Sequence, residues 1–364
     1  MPRIAFYISC HGLGHAMRMK ELFSRLHRDN PSVQLFVMGT MPPWVFEEPP
    51  AVPLRHRAVR CDIGAIQKDS LHLDVARTLE ENADFYRGID PLVRREVEFV
   101  RREKIDLIVG DIPPLAFLVA AAAGVKSIAI GNFSWDWIYE EYVNEYDRYR
   151  YLVGLVREAY ARADLLVRLP FHGDMSAFRA VRDIPLISRS ATLPRDEVRR
   201  RLGIRAGETK KVVFISMGGH DNAGTVEDSA LGFGDYIFIS FFNISGRMKH
   251  LILPEDRAGI PHPDIVRASD CVISKPGYCT VAECIANRTP LMYTSRDHFR
   301  EFPIMEAAVK KYCRWHHLPR DDFHAGSWRK HLDAFLGEEQ AFRWPEIPTD
   351  GAAAAARIIM EQLG

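Results

Sequence analysis

The sequence has no excess of charge: 48 basic residues face 48 acidic ones across 364 positions. A chain with no net sign gives no reason to expect a polyanion as its main partner, and no long basic run marks a nucleic-acid footprint. Cysteine is scarce and scattered. The six thiols form no C-x-x-C pair, so zinc-ligand spacing is missing. Cys10, Cys271 and Cys284 lie in apolar runs and read as buried thiols of a reducing compartment. Long hydrophobic runs are lacking as well. Leu115–Gly124, the most apolar stretch, has the length of a buried helix and not of a membrane span. The opening Met1-Pro-Arg-Ile-Ala-Phe-Tyr-Ile-Ser9 is interrupted too soon to be expected as a signal peptide. The expectation is a cytoplasmic protein without a membrane span, with peripheral membrane contact and oligomeric state left open.

What is present is an alternation of strands and helices, in a chain long enough for two domains of about 170 residues each. Arg3–Cys10 reads as a strand. His11-Gly-Leu-Gly14-His15-Ala-Met-Arg18 follows, then a helix through His27 and a strand at Val33–Gly39. That order is a Rossmann-like opening. Its nicotinamide fingerprint is incomplete: Met17 stands where a third glycine belongs, and Thr40 and Met41 where an acidic residue would end the second strand. His11 and His15 follow the first strand, at the edge where ligands of α/β sheets bind. An imidazole there is suited to taking a proton from a hydroxyl or from water, or it simply bonds the loop backbone. Asp106–Gly110 is a further strand that delivers Asp111 to the same edge. Asp111 either orients the imidazole of His15 or caps the helix after it. The aromatic stretch Asn132-Phe-Ser-Trp135-Asp136-Trp-Ile-Tyr139 suits stacking on a sugar, or core packing. Pro42–Pro53 reads as a loop.

The second half repeats the pattern. Lys211–Met217 reads as a strand running into Gly218-Gly219, a turn whose N–H groups suit diphosphate oxygens or which is merely tight. Tyr236–Phe242 is a strand and His262–Asp270 a short helix. Cys271–Ser274 then stops at Lys275-Pro-Gly277, and a helix opens with Thr280-Val-Ala-Glu283. Strand, glycine turn and helix N-terminus outline an anion site. Glu283 there either complements the helix dipole or accepts hydrogen bonds from a sugar diol. The strand Pro290–Thr294 and a polar Arg296-Asp297-His298 loop follow.

Lys-Pro-Gly-x-x-Thr-x-x-Glu before a strand and that polar loop resembles the donor half of GT-B glycosyltransferases. It is similar above all to the lipid-II-forming N-acetylglucosaminyltransferase and the monogalactosyldiacylglycerol synthases. Nearly the whole chain resembles the glycosyltransferase-like amino-terminal region of plant-type L-arabinokinases. The likeness rests on Gly12-Leu-Gly14-His15-Ala-x-Arg18, Asp62-x-Gly-Ala-Ile-Gln67, Asn132-Phe-Ser-Trp-Asp-Trp-Ile-Tyr139 and Lys275-x-Gly-Tyr-x-Thr-Val-x-Glu283. The sugar-kinase half of those proteins has no counterpart here, so kinase activity is not expected.

The resemblance implies an α/β, GT-B fold: Rossmann-like domains at 1–180 and 181–349 facing across a cleft, and a terminal helix at 350–364 crossing back. It implies transfer of a sugar from an NDP-sugar, UDP foremost, to an acceptor hydroxyl. His15 would be the base, supported by Asp111. Gly14, Arg18, Gly218, Gly219, Lys275, Gly277, Thr280, Glu283, Asp297 and His298 would hold the donor, and His11, Trp135 and Asp136 the acceptor. No D-x-D pair occurs, so neither a metal nor any cofactor beyond the sugar nucleotide is expected; inversion is expected because one base suffices for it. Glycine-histidine-x-x-arginine also occurs in the UDP-sugar hydrolase of the pseudaminic acid pathway, which keeps water open as the acceptor. A non-catalytic sugar-nucleotide-binding protein is the remaining alternative.

Overall fold

In a computed structural model the chain is described at residues 1–42, 44–47, 52–69, 71–218, 234–241, 251–252, 259–337 and 341–363. Seven strands form the first sheet: β1 (Arg3–Ile8), β2 (Gln34–Gly39), β3 (Leu54–Ala58), β4 (Leu107–Asp111), β5 (Lys126–Gly131), β6 (Leu165–Arg168) and β7 (Val181–Asp183). Their order is β3-β2-β1-β4-β5-β6-β7, and every pairing is parallel. The second sheet holds β8 (Lys211–Ile215), β9 (Tyr236–Ser240), β10 (Leu251–Ile252), β11 (Cys271–Ser274), β12 (Leu291–Tyr293) and β13 (Trp315–His317). It runs β10-β9-β8-β11-β12-β13, again parallel throughout. The central strands are buried on both faces, which is why LIVGD and CVIS read as unbroken runs and do not alternate.

In each sheet the chain reverses its direction of winding at one point. The reversal lies between β1 and β4 in the first sheet and between β8 and β11 in the second. Loops leaving the carboxyl ends of such a strand pair diverge to opposite faces and open a crevice between them. His15 follows β1 and Asp111 ends β4; Gly218 follows β8 and Lys275 follows β11. Topology alone therefore gathers the residues of interest at two crevices.

Local chemistry sets the helices. In Gly14–Asp29, Ala16, Met19, Leu22, Phe23 and Leu26 fall on one buried face, and His27 and Arg28 in the last turn complement the dipole. Asp74 caps Val75–Arg87 by accepting from the Arg77 N–H at 3.1 Å. Leu115–Ala123 ends at Gly124, whose φ of 73° is the left-handed stop that glycine takes without strain. The segment 42–53, expected to be a loop, contains one helical turn at Trp44–Glu47, with Val45 and Phe46 buried. The first sheet also runs past the expected break at 180, because β7 adds Val181–Asp183 to its edge through Leu166–Val181 and Arg168–Asp183 register. Among the described residues no helix is long and apolar enough to cross a membrane.

The last helix, Gly351–Leu363, packs on Gly14–Asp29, and Glu361 accepts from Arg182 at 2.5 Å. Its entry is tight. The Gly351 N–H bonds the Leu186 carbonyl at 3.1 Å, and a Cβ there would run into the Pro185 carbonyl and lie 2.7 Å from the Leu186 carbonyl carbon. These are backbone atoms and cannot swing aside. Gly351→Ala is expected to lower stability by about 1–3 kcal/mol through overpacking, read from the midpoint of urea unfolding. An unchanged midpoint would mean the terminal helix does not dock in this way.

Candidate active site

The two crevices open onto one cavity of about 120 Å³. Its first wall carries His11, Gly14, His15 and Arg18; its second carries Gly218, Lys275, Gly277 and Thr280. These are eight of the residues expected to act together from sequence. Gly219 lies outside the described residues.

His15 occupies the second position of its helix, and its Nδ1 is 2.9 Å from Asp111 Oδ1. Arg18, one turn further on, donates through Nε to Asp111 Oδ2 at 2.8 Å and through Nη2 to Oδ1. Its Nη1 donates to Asn132 Oδ1 at 3.0 Å. Arg18 Nη2 also lies 3.0 Å from His15 Nδ1, but both groups cannot donate to each other. The carboxylate between them is the stronger acceptor, so the imidazole proton belongs on Nδ1, pointing at Asp111, and Nε2 presents its lone pair. Burial alone would raise the Asp111 pKa; the charges of Arg18 and His15 and their hydrogen bonds outweigh it and hold the carboxyl below its usual range. The chain turns sharply after Asp111: Ile112 has a φ of 64°, strained for a β-branched residue. Tyr160 fixes that turn by donating to the Ile112 carbonyl at 2.7 Å.

The second wall is built on the loop from β11 into the Tyr278–Asn287 helix. Gly277 is the N-cap, with open space where a Cβ would point. Gly218 has a φ of 84°, left-handed backbone that favours glycine. Lys275 is buried, its Nζ donating across the cleft to Gln67 Oε1 at 3.2 Å. Burial, and next the charge of Arg296, push the lysine well below its ordinary pKa. Cys279 Sγ meets the Gly14 carbonyl at 3.0 Å, so the helix N-terminus of one domain abuts that of the other.

Other expected residues are used elsewhere. Glu283 does not line the cavity: Arg189 Nε donates to its Oε1 at 2.7 Å, and His262 Nδ1 lies 2.6 Å from its Oε2. Asp297 pairs with Arg320, and its N–H bonds the Leu71 carbonyl at 3.3 Å. His298 is exposed, and its carbonyl accepts from Tyr142 at 2.8 Å. Both residues buttress the seam between domains and lie off the cavity. Trp135 is fully buried, donating from Nε1 to Asp62 Oδ2 at 2.9 Å and stacking on Tyr139. Asp136 is buried against Arg157, Nε to Oδ2 3.2 Å. Neither can meet an acceptor at this cavity, because the aromatic stretch turns its Phe133 to the opening instead. Arg18, expected on a diphosphate, reaches the cavity but spends its donors on Asp111 and Asn132.

Sequence reading missed Gln67, Asn132, Arg296, Phe299 and Glu301, all of which line the cavity. Asn132 follows β5 and Arg296 follows β12, so the rule that ligands meet the carboxyl ends of strands would have flagged them. Asn132 Nδ2 donates to Glu301 Oε1 at 2.6 Å, which extends the His15–Asp111–Arg18 network into the other domain. Burial raises the Glu301 pKa above its usual range, against the hydrogen bond from Asn132 and the nearby cations.

Two doubly wound parallel domains that share one cleft define the GT-B class, and the chain has that fold. Among solved structures it superposes on the glycosyltransferase SnogD from Streptomyces nogalater, TM-score 0.58 at 15% identity, covering all of both chains. A Medicago truncatula UGT protein complexed with UDP-glucose gives 0.60 at 12%, over 100% of this chain and 98% of that one. CalG4, the calicheamicin glycosyltransferase, gives 0.58 at 14%, over 100% and 95%. In sequence the chain is 32% identical over 366 aligned residues to L-arabinokinase of Arabidopsis thaliana, covering 98% of this chain. It spans 34% of the length of that curated relative. No protein-family model matches.

The Glu283 cluster sets a measurable pH dependence. Burial raises its carboxyl, and the charges and hydrogen bonds of Arg189 and His262 more than reverse this, leaving the folded pKa depressed. A depressed carboxyl contributes stability above its unfolded pKa of about 4.3, and that contribution is lost as pH falls through the folded value. Glu283→Gln should cost about 3 kcal/mol at neutral pH, since it breaks the ion pair of a buried carboxylate with Arg189. It should also flatten the loss of stability below about pH 4. Urea midpoints of both proteins across that range provide the check; parallel acid slopes would refute the pairing.

Proposed function

We propose that the chain transfers a sugar from a UDP-sugar to an acceptor hydroxyl, with inversion and without a bound metal. One observation carries the reading. The winding reversals of both domains open onto a single cavity, one supplying an imidazole backed by a carboxylate and the other a helix N-terminus beside a lysine. The L-arabinokinase likeness and the glycosyltransferase neighbours support it.

In this reading His15 Nε2 accepts the proton of the acceptor hydroxyl as its oxygen bonds to the anomeric carbon. The bond from that carbon to the phosphate oxygen breaks, and the electron pair leaves with UDP. A single displacement inverts the carbon. Asp111 stabilises the imidazolium and keeps the ring in the required tautomer. Lys275 and the N–H groups at Gly277–Thr280 meet the charge that grows on the leaving diphosphate. In a chain without a D-x-D pair, these groups take the place of a metal clamp. Holding donor and acceptor across one cleft supplies much of the remaining acceleration.

His15→Ala should reduce turnover by about a hundredfold to ten-thousandfold and leave UDP affinity little changed. UDP release with and without candidate acceptors, alongside calorimetry with UDP, is the measurement. Full turnover by the variant would remove His15 as the base. Release into water alone would mark a hydrolase, and binding without turnover a sugar-nucleotide-binding protein.

A further inference from the structure

Arg296 is the least satisfied charge at the cavity. It stands just beyond β12, and its guanidinium carbon lies 4.0 Å from the centre of the Phe299 ring. Its Nε and Nη2 are sealed from solvent and have no hydrogen-bond partner. Burial, ahead of any neighbouring charge, pushes its pKa down to about 10. Two guanidinium donors sealed from water are costly unless an acceptor meets them, and an anion meets the charge as well. The planar fork matches a carboxylate through two parallel hydrogen bonds.

It follows a different strand from the lysine assigned to the diphosphate, near enough for its charge to lower that lysine's pKa. Lys275 belongs to β11 and the Gly218 turn, its Cε 3.4 Å from where a Cβ at 218 would lie. Arg296 follows the neighbouring strand β12 and lines the cavity together with Phe299 and Glu301. Glu301 is tied through Asn132, Arg18 and Asp111 to His15. The carbon that reacts must lie beside His15, so the transferred sugar, and not the nucleotide, falls between Glu301 and Arg296. Glu301 is the single carboxylate among the described lining residues; its charge acts on Arg296, but it makes no hydrogen bond to the guanidinium, and burial raises its own carboxyl.

Resting on the transferase reading above, we infer that the donor sugar carries a carboxylate, as in a UDP-uronate, and that Arg296 selects it. Uronate carboxylate and guanidinium would pair in a site closed to water, where a sugar lacking the carboxylate leaves the arginine stranded.

Calorimetry of the whole chain with UDP, UDP-glucose, UDP-glucuronate and UDP-galacturonate tests this, for the wild type and for Arg296→Gln. At least one uronate should bind about tenfold or more tighter than UDP-glucose. Arg296→Gln should erase that preference, keep UDP affinity within about threefold, and melt close to the wild type, since it removes a contact with the Phe299 ring and no hydrogen bond. Equal or weaker binding of both uronates by the wild type overturns the inference and leaves the transferase reading standing. So does a variant that loses UDP itself as strongly as the uronate, since the arginine would then serve the diphosphate. Failure of every nucleotide to bind overturns the transferase reading, and the inference with it.

Discussion

A buried run of hydrogen bonds links His15, Asp111, Arg18, Asn132 and Glu301, and its last link crosses from one domain to the other. Arg18 is its centre. Taking a guanidinium and a carboxylate out of water costs several kcal/mol for each ion, and attraction repays this only when the remaining donors are also met. Here they are, by Asp111 on one side and Asn132 on the other. The geometry of the cavity follows from that requirement: the imidazole cannot turn without breaking the pair, and the second domain cannot withdraw without exposing Asn132 and Glu301. Networks of this kind hold a single arrangement more firmly than apolar packing, because each half-satisfied alternative is expensive.

Much of the remaining polar chemistry serves the seam. Arg300 donates to the Trp137 carbonyl at 2.6 Å and to Glu140 at 2.8 Å, Tyr142 reaches the His298 carbonyl, and Asp297 the Leu71 carbonyl. Inside the second domain, Arg189 and His262 consume Glu283. Charged residues next to a cleft thus divide into those that face it and those that hold its walls in place. Residue type and spacing do not separate the two groups. Arg18 and Arg296 show how far this goes: both are arginines lining the cavity, yet one is bonded to Asp111 and Asn132 and the other keeps two sealed donors without a hydrogen-bond partner.

The central strands, their parallel pairing and the two glycine-bearing turns were legible in the sequence, because unbroken apolar runs ending at glycine and proline can be little else in an alternating chain; the edge strands β3, β7, β10 and β13, short or rich in charge and histidine, were not. The pairing of His15 with Asp111 was legible for a related reason: both follow strands, and parallel strands present their carboxyl ends along one edge. Gly12-Leu-Gly14-His15 and Lys275-x-Gly277 marked the two walls of the cavity because each follows a strand and opens a helix, at the edge where ligands of parallel sheets bind. Tertiary structure alone decided which polar groups remained available. Glu283 found an arginine 94 positions away in sequence, Trp135 an aspartate 73 away, and Asn132 a glutamate 169 away in the other domain. A side chain's identity fixes how many hydrogen bonds it must make. Which neighbour satisfies them depends on what folding brings within 3 Å, and no local pattern records that distance.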